Sequence, residues 1–160
     1  MMAQKRGRNA MEDHAFLFYK KWIEKDYENL KETPSAANLV QFQTRHKYLF
    51  MALQPAIQKQ IGRMIAGWNS DSLNQMDERI TNMLAEKPSR GSVANSLMHM
   101  FGYFRNELAE RQKREFLDSV EKYRSGLLEI ELILKQLKEW AESYDEDYLN
   151  RQSIFSILDT

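Results

Sequence analysis

Apolar side chains recur at intervals of three and four along nearly the whole chain, and no stretch alternates cleanly between apolar and polar residues. That period belongs to the α-helix and commits the chain to an all-α fold. Composition agrees, since six glycines and three prolines are too few for a β-sandwich, a Rossmann fold or a phosphate-cradling loop. With 160 residues, one domain can bury roughly 70% of its unfolded surface.

The periodicity predicts six or seven helices in one bundle. The first runs from about Met11 to Lys31, with Ala15, Phe16, Tyr19, Trp22, Ile23 and Leu30 near one stripe, and Thr33-Pro34 ends it because proline disfavours helix in the residue before it. Ser35 caps a second helix over Ala36–Leu53, which is apolar most of the way round and therefore central. Pro55 suits the first turn of a third helix carrying Ile57, Ile61, Ile65 and Trp68. Ser70 or Asp71 caps a fourth with Met76, Ile80 and Met83. A fifth spans about Gly91–Ala109, a sixth carries Phe116, Leu117 and Val120 and stops at Gly126, and a last long one covers about Leu127–Tyr144. Residues 1–10 read as a loose basic N-terminus and 11–144 as the helical domain. Residues 145–160 form an acidic and then apolar C-terminal tail, free to dock on the body or on a partner. No apolar run approaches a membrane span and no signal-peptide core is present, which points to a cytoplasmic protein.

Cysteine is absent, and with it go disulfides, thiol nucleophiles and iron–sulfur ligation. No Glu-x-x-His pair, His-Glu-x-x-His motif or P-loop occurs, so no metal or cofactor is expected. The 23 basic and 23 acidic side chains give zero formal charge, yet they are segregated. Leu127–Thr160 carries a balance of −5, leaving +5 upstream. Two windows, Thr33–Ser70 and Lys87–Asn106, contain no acid at all. The first holds Arg45, Lys47, Lys59 and Arg63, and the second Lys87, Arg90 and Arg105. If the second and fifth helices are neighbours, these cations build one electropositive face suited to an anionic partner.

Two polar groups stand out within those windows. His46 projects into the apolar stripe of the second helix between Arg45 and Lys47. It is either a hydrogen-bonded core residue or the lining of a recess bordered by two cations. Asn95, His99, Gly102 and Asn106 lie opposite the core stripe of the fifth helix and include none of the Lys, Glu or Asp that ordinarily fill a solvated face. Arg90, at the start of that helix, stands where backbone N–H groups are free and a phosphate binds well.

These same residues resemble the YbgA-like family, a bacterial domain of unknown function. The stretch Leu39-Val40-x-Phe42-x-x-Arg45-His46-Lys47 through Met51, then Gly62-Arg63, is similar to one family block. Arg90-Gly91-x-x-Ala94-Asn95-x-x-x-His99 with Gly102-Tyr103-Phe104 resembles a second, and Tyr123-Arg124-x-Gly126 a third. Some relatives are fused behind a thiouracil-desulfidase-type domain that removes sulfur from thiouridine in transfer RNA with an iron–sulfur cluster, and the YbgA-like part is taken to hold the tRNA. This chain departs from the family pattern after Arg124, where a proline-containing segment gives way to Gly126-Leu127-Leu128-Glu129.

The resemblance therefore implies a non-catalytic, RNA-holding helical module tied to tRNA thiouridine desulfurisation, whose partners are tRNA or another structured RNA and a separately encoded desulfidase or other nucleic-acid enzyme. Arg45, Lys47, Arg63, Arg90 and Arg124 would meet phosphates, and Asn95, His99 and Tyr103 a ribose or base, with His46 beside them. Two alternatives stand beside it. One is a protein–protein adaptor docking through the tail, and the other an enzyme using His46 or His99 as general base.

Overall fold

The computed structural model describes residues 9–160, so all but the last two residues of the loose N-terminus lie outside the described residues. Its long helices are α1 (Asp13–Glu32), α2 (Ala36–Leu53), α3 (Pro55–Ala66), α4 (Ser72–Met83), α5 (Arg90–Phe101), α6 (Glu110–Arg124) and α7 (Ile130–Ser143). A single turn, α8 (Asp147–Asn150), and a 3-10 helix, Ser153–Asp159, complete the chain. The fold is all-α. No described helix is long and apolar enough to cross a membrane.

Local chemistry sets the boundaries. The Ser35 hydroxyl accepts from the Asn38 amide and caps α2, and Pro55 occupies the first turn of α3. Ser89 caps α5 through the Ser92 amide. Gly126 adopts φ 81° after α6, a left-handed conformation open to glycine at little cost. Helix α5 is shorter than its periodicity suggests. From Gly102 the chain tightens into turns, with Tyr103 and Phe104 amides bonding three residues back, while Phe104 and Leu108 stay in the core.

Helix α2 is the hub, packed against α1, α3, α5 and the 3-10 helix. Its Leu39, Phe42, Leu49 and Phe50 are wholly buried. A second aromatic cluster joins α5, α6 and α7, where Phe101 and Phe116 stack at 4.5 Å beside Trp140. At the N-terminal end Ala10 bridges Ser89, and the Met11 amide donates to the Pro88 carbonyl at 2.9 Å.

The C-terminal segment docks on the body, the first of the two fates open to it. Leu149, Ile154, Phe155 and Ile157 are buried in the common core. The Gln152 side chain accepts from the Tyr48 amide and donates to the Thr44 carbonyl, fastening the segment to α2.

Candidate nucleic-acid interface

Helices α2 and α5 are neighbours, as the electropositive-face reading requires. Small side chains allow the approach: the Ser96 hydroxyl donates to the Tyr48 carbonyl at 2.6 Å and the Ser92 hydroxyl to the Ala52 carbonyl at 2.8 Å. The pairing runs antiparallel. On the other flank of α2, a Cβ on Gly62 of α3 would stand 2.9 Å from Gln43 Nε2, so the glycine permits close packing there too.

With both contacts fixed, helical phase settles what lies between them. Val40, Thr44, Lys47 and Met51 form the outward strip of α2. Asn95 and His99 of α5, both exposed, rise along one side, and Lys59 and Arg63 of α3, also exposed, along the other. Register places His99, Lys47, Lys59, Arg63 and Asn95 within about two helical turns, roughly 11 Å, along the axis of α2. Tyr103 sits toward the N-terminal half of α2, its hydroxyl 3.1 Å from that of Tyr48. The three helices of this face contain no Asp or Glu. Lys47, Lys59 and Arg63 form no ion pair with a described carboxylate, in contrast to Arg45, Lys87, Arg90 and Arg124.

The other predicted contacts stand elsewhere. Arg45 points to α1, where its Nε and Nη2 donate to Asp26 Oδ2 at 3.1 and 2.8 Å. Arg90 is buried and anchors backbone instead of greeting a phosphate. It donates to the carbonyls of Ala10, Tyr123 and Leu128, lies over the Tyr123 ring and approaches Glu12 at 3.6 Å. Arg124, paired with Glu121 at 3.5 Å, rests against the first turn of α5 near Gly91, on the side away from α2.

His46 is a satisfied core residue. Its Nε2 lies 2.6 Å from Asp26 Oδ2 and its Nδ1 2.6 Å from the Ser153 hydroxyl. In the Nε2–H tautomer the ring donates to Asp26 and accepts from Ser153, leaving no group unpaired. The order Ser153–His46–Asp26 is that of a nucleophilic relay, but a nucleophile must reach its substrate. His46 and Ser153 are both buried. The flanking clefts are lined by Asp26 on one side and Gln152 on the other, and by neither of these two residues. The network locks the C-terminal segment to α2.

Burial pushes the His46 pKa below its ordinary value despite the hydrogen bond to Asp26. Burial alone would raise Asp26, but hydrogen bonds from His46 and Arg45 outweigh it and hold the carboxyl below the usual range. The folded state thus keeps His46 neutral, and its contribution to stability is present above about pH 6.5 and lost as pH falls through the lower folded value. His14, raised by its hydrogen bond to Glu131, titrates with the opposite sign. Urea unfolding of a His14→Gln variant between pH 7 and 5 should therefore show stability falling as acid is added, with a limiting slope of about 1.4 kcal/mol per pH unit. A flat profile would place the proton elsewhere.

Sequence reasoning did not find Asp26 or Ser153, because nothing near either residue along the chain marks a contact with α2. It also did not find Glu12, His14 and Glu131, whose ligand atoms lie within 4.8 Å of one another. These come from the start of α1 and the start of α7, so no local spacing signals them.

With this geometry in place, comparison with known proteins assigns the chain. The profile of a family described as "Protein of unknown function (DUF1722)" matches residues 47–158. The chain belongs to this family. It is also 24% identical over 124 residues to "Uncharacterized protein YbgA" of Escherichia coli (strain K12), covering 74% of this chain and 73% of that one. The YbgA-like resemblance is thereby established. No solved structure matches. The matched span holds the three acid-free helices from Lys47 onward and the C-terminal 3-10 helix to its penultimate residue, whereas Asp26 and the Glu12 region precede it.

Proposed function

We propose that this DUF1722 protein binds a structured RNA, with transfer RNA the leading candidate, on the carboxylate-free face of α3, α2 and α5. The observation that carries the reading is the grouping of Lys47 on α2 with Lys59 and Arg63 on α3, two helices that, like the adjoining α5, contain no carboxylate. Solvated helix faces ordinarily mix both charges, and exclusion of one sign over a contiguous surface builds potential for the other. The cations meet phosphates, while Asn95 and His99 on the opposite wall hydrogen-bond ribose or base edges and Tyr103 offers a partly exposed ring for stacking. A role beside a thiouridine-modifying enzyme is part of the same proposal.

Three phosphate contacts give a log K against log salt slope of roughly −2 to −2.7. Titration of labelled tRNA at two salt concentrations measures it. Lys59→Ala and Arg63→Ala should each shallow the slope by about 0.7–0.9 while leaving stability within about 0.5 kcal/mol. Binding that ignores salt, or that both variants leave intact, defeats the proposal. The adaptor reading has less to stand on, because the apolar side chains it would offer a partner are spent inside the bundle.

A further inference from the structure

We propose that Glu12, His14 and Glu131 hold a divalent transition-metal ion that clamps the start of α1 to the start of α7. The three residues bring ligand atoms within 4.8 Å of one another. His14 Nε2 already stands 2.8 Å from Glu131 Oε2. Around a tetrahedral ion with bonds of about 2.0–2.1 Å, ligand atoms sit about 3.3 Å apart. Small side-chain rotations close the cluster to that size.

Unpaired polar atoms supply a second, independent observation. Five buried side-chain atoms among the described residues lack a hydrogen-bond partner, and three of them belong here: Glu12 Oε1, Glu131 Oε1 and the Tyr123 hydroxyl. Tyr123 is wholly buried, and its hydroxyl lies within Coulombic reach of both carboxylates. The other oxygen of Glu12 is occupied, accepting from the Ile130 amide at 3.0 Å. Glu12 Oε1 already faces the Arg90 guanidinium at 3.6 Å, so the unmatched acceptors beside the cluster are Glu131 Oε1 and the Tyr123 oxygen, and buried polar groups rarely stay unmatched.

The donor set selects the ion. Calcium and magnesium prefer all-oxygen cages, whereas one imidazole with two carboxylates suits zinc and its first-row neighbours. Three protein ligands leave a fourth position for water or the Tyr123 oxygen. His14 is half exposed and gives the ion a way in. Two features oppose the charge of an ion: the positive ends of α1 and α7, and Arg90 at 3.6 Å from Glu12. Two carboxylates counter both.

The test is titration of Zn2+ into the full chain, freed of metal by chelator and dialysis, followed by calorimetry and by thermal unfolding, with Co2+ absorption as a spectroscopic probe. We expect one ion per chain, a thermal midpoint that rises with Zn2+, and affinity at least about tenfold weaker in His14→Ala and in Glu131→Gln. His14 is exposed enough that its alanine variant keeps the fold, and circular dichroism checks this. His99→Ala, remote from the cluster, should bind as the parent does. Failure to bind one equivalent below about 100 μM Zn2+, or binding that His14→Ala leaves unchanged, overturns the proposal. Neither result depends on RNA.

Discussion

Arg90→Ala is expected to destabilise the bundle by about 3–5 kcal/mol, the usual cost of removing one member of a buried charge pair. The guanidinium donates to Ala10, Tyr123 and Leu128 carbonyls, so one side chain ties together the segment before α1, the end of α6 and the turn leading to α7. Its loss strands those carbonyls and leaves Glu12, nearly buried, facing no cation. For a chain of this length each kcal/mol moves the midpoint by about 2–4 °C, so the drop should be roughly 10 °C. Lysine should rescue little, because a single ammonium cannot span three carbonyls and lie flat on the Tyr123 ring as a guanidinium does. Guanidinium chloride unfolding of Arg90→Ala, Arg90→Lys and Arg63→Ala checks this. Equal midpoints for the buried and exposed arginine variants would refute the anchoring role.

Removal of residues 145–160 is expected to abolish folding. The segment contributes Leu149, Ile154, Phe155 and Ile157 to the core. At about 1.5–3 kcal/mol for each buried side chain, the loss is roughly 6–12 kcal/mol, comparable with the whole stability of an ordinary domain. The cut also removes the Gln152 contacts to the Tyr48 amide and Thr44 carbonyl and leaves His46 Nδ1 without its partner. Phe155→Ala, at about 3–5 kcal/mol, is the graded version of the same experiment. A truncated chain that keeps cooperative unfolding near the parental midpoint would mean that the segment is a passenger. Deletion of the segment therefore tests folding, whereas the salt slope and the Lys59 and Arg63 variants test RNA binding.

Much of the fold was legible because its signals are local. Ser35 and Pro55 bracket α2 at the residues the structure uses, and the wrap of apolar side chains around α2 announced its central place. The end of α5 was harder to read, since Phe104 and Leu108 keep helical spacing while the backbone beneath them has already left the helix. The charged residues divide by a different rule. Lys47, Lys59 and Arg63 are unopposed both along the chain and in space. Arg45 and Arg90 lie in equally acid-free windows but meet Asp26 and Glu12, which α1 and the residue before it deliver from more than fifteen residues away in sequence. A window of sequence counts neighbours along a line, whereas electrostatics counts them in three dimensions.

The docking of Ile154–Ile157 against α1, α2 and α7 also bears on how the molecule is made. During synthesis the N-terminal helices emerge first, yet the apolar flank of α2 has no cover until the 3-10 helix clears the ribosome. Final closure thus waits for the C-terminal segment, and until it docks the nascent chain displays a sticky surface of the kind chaperones patrol.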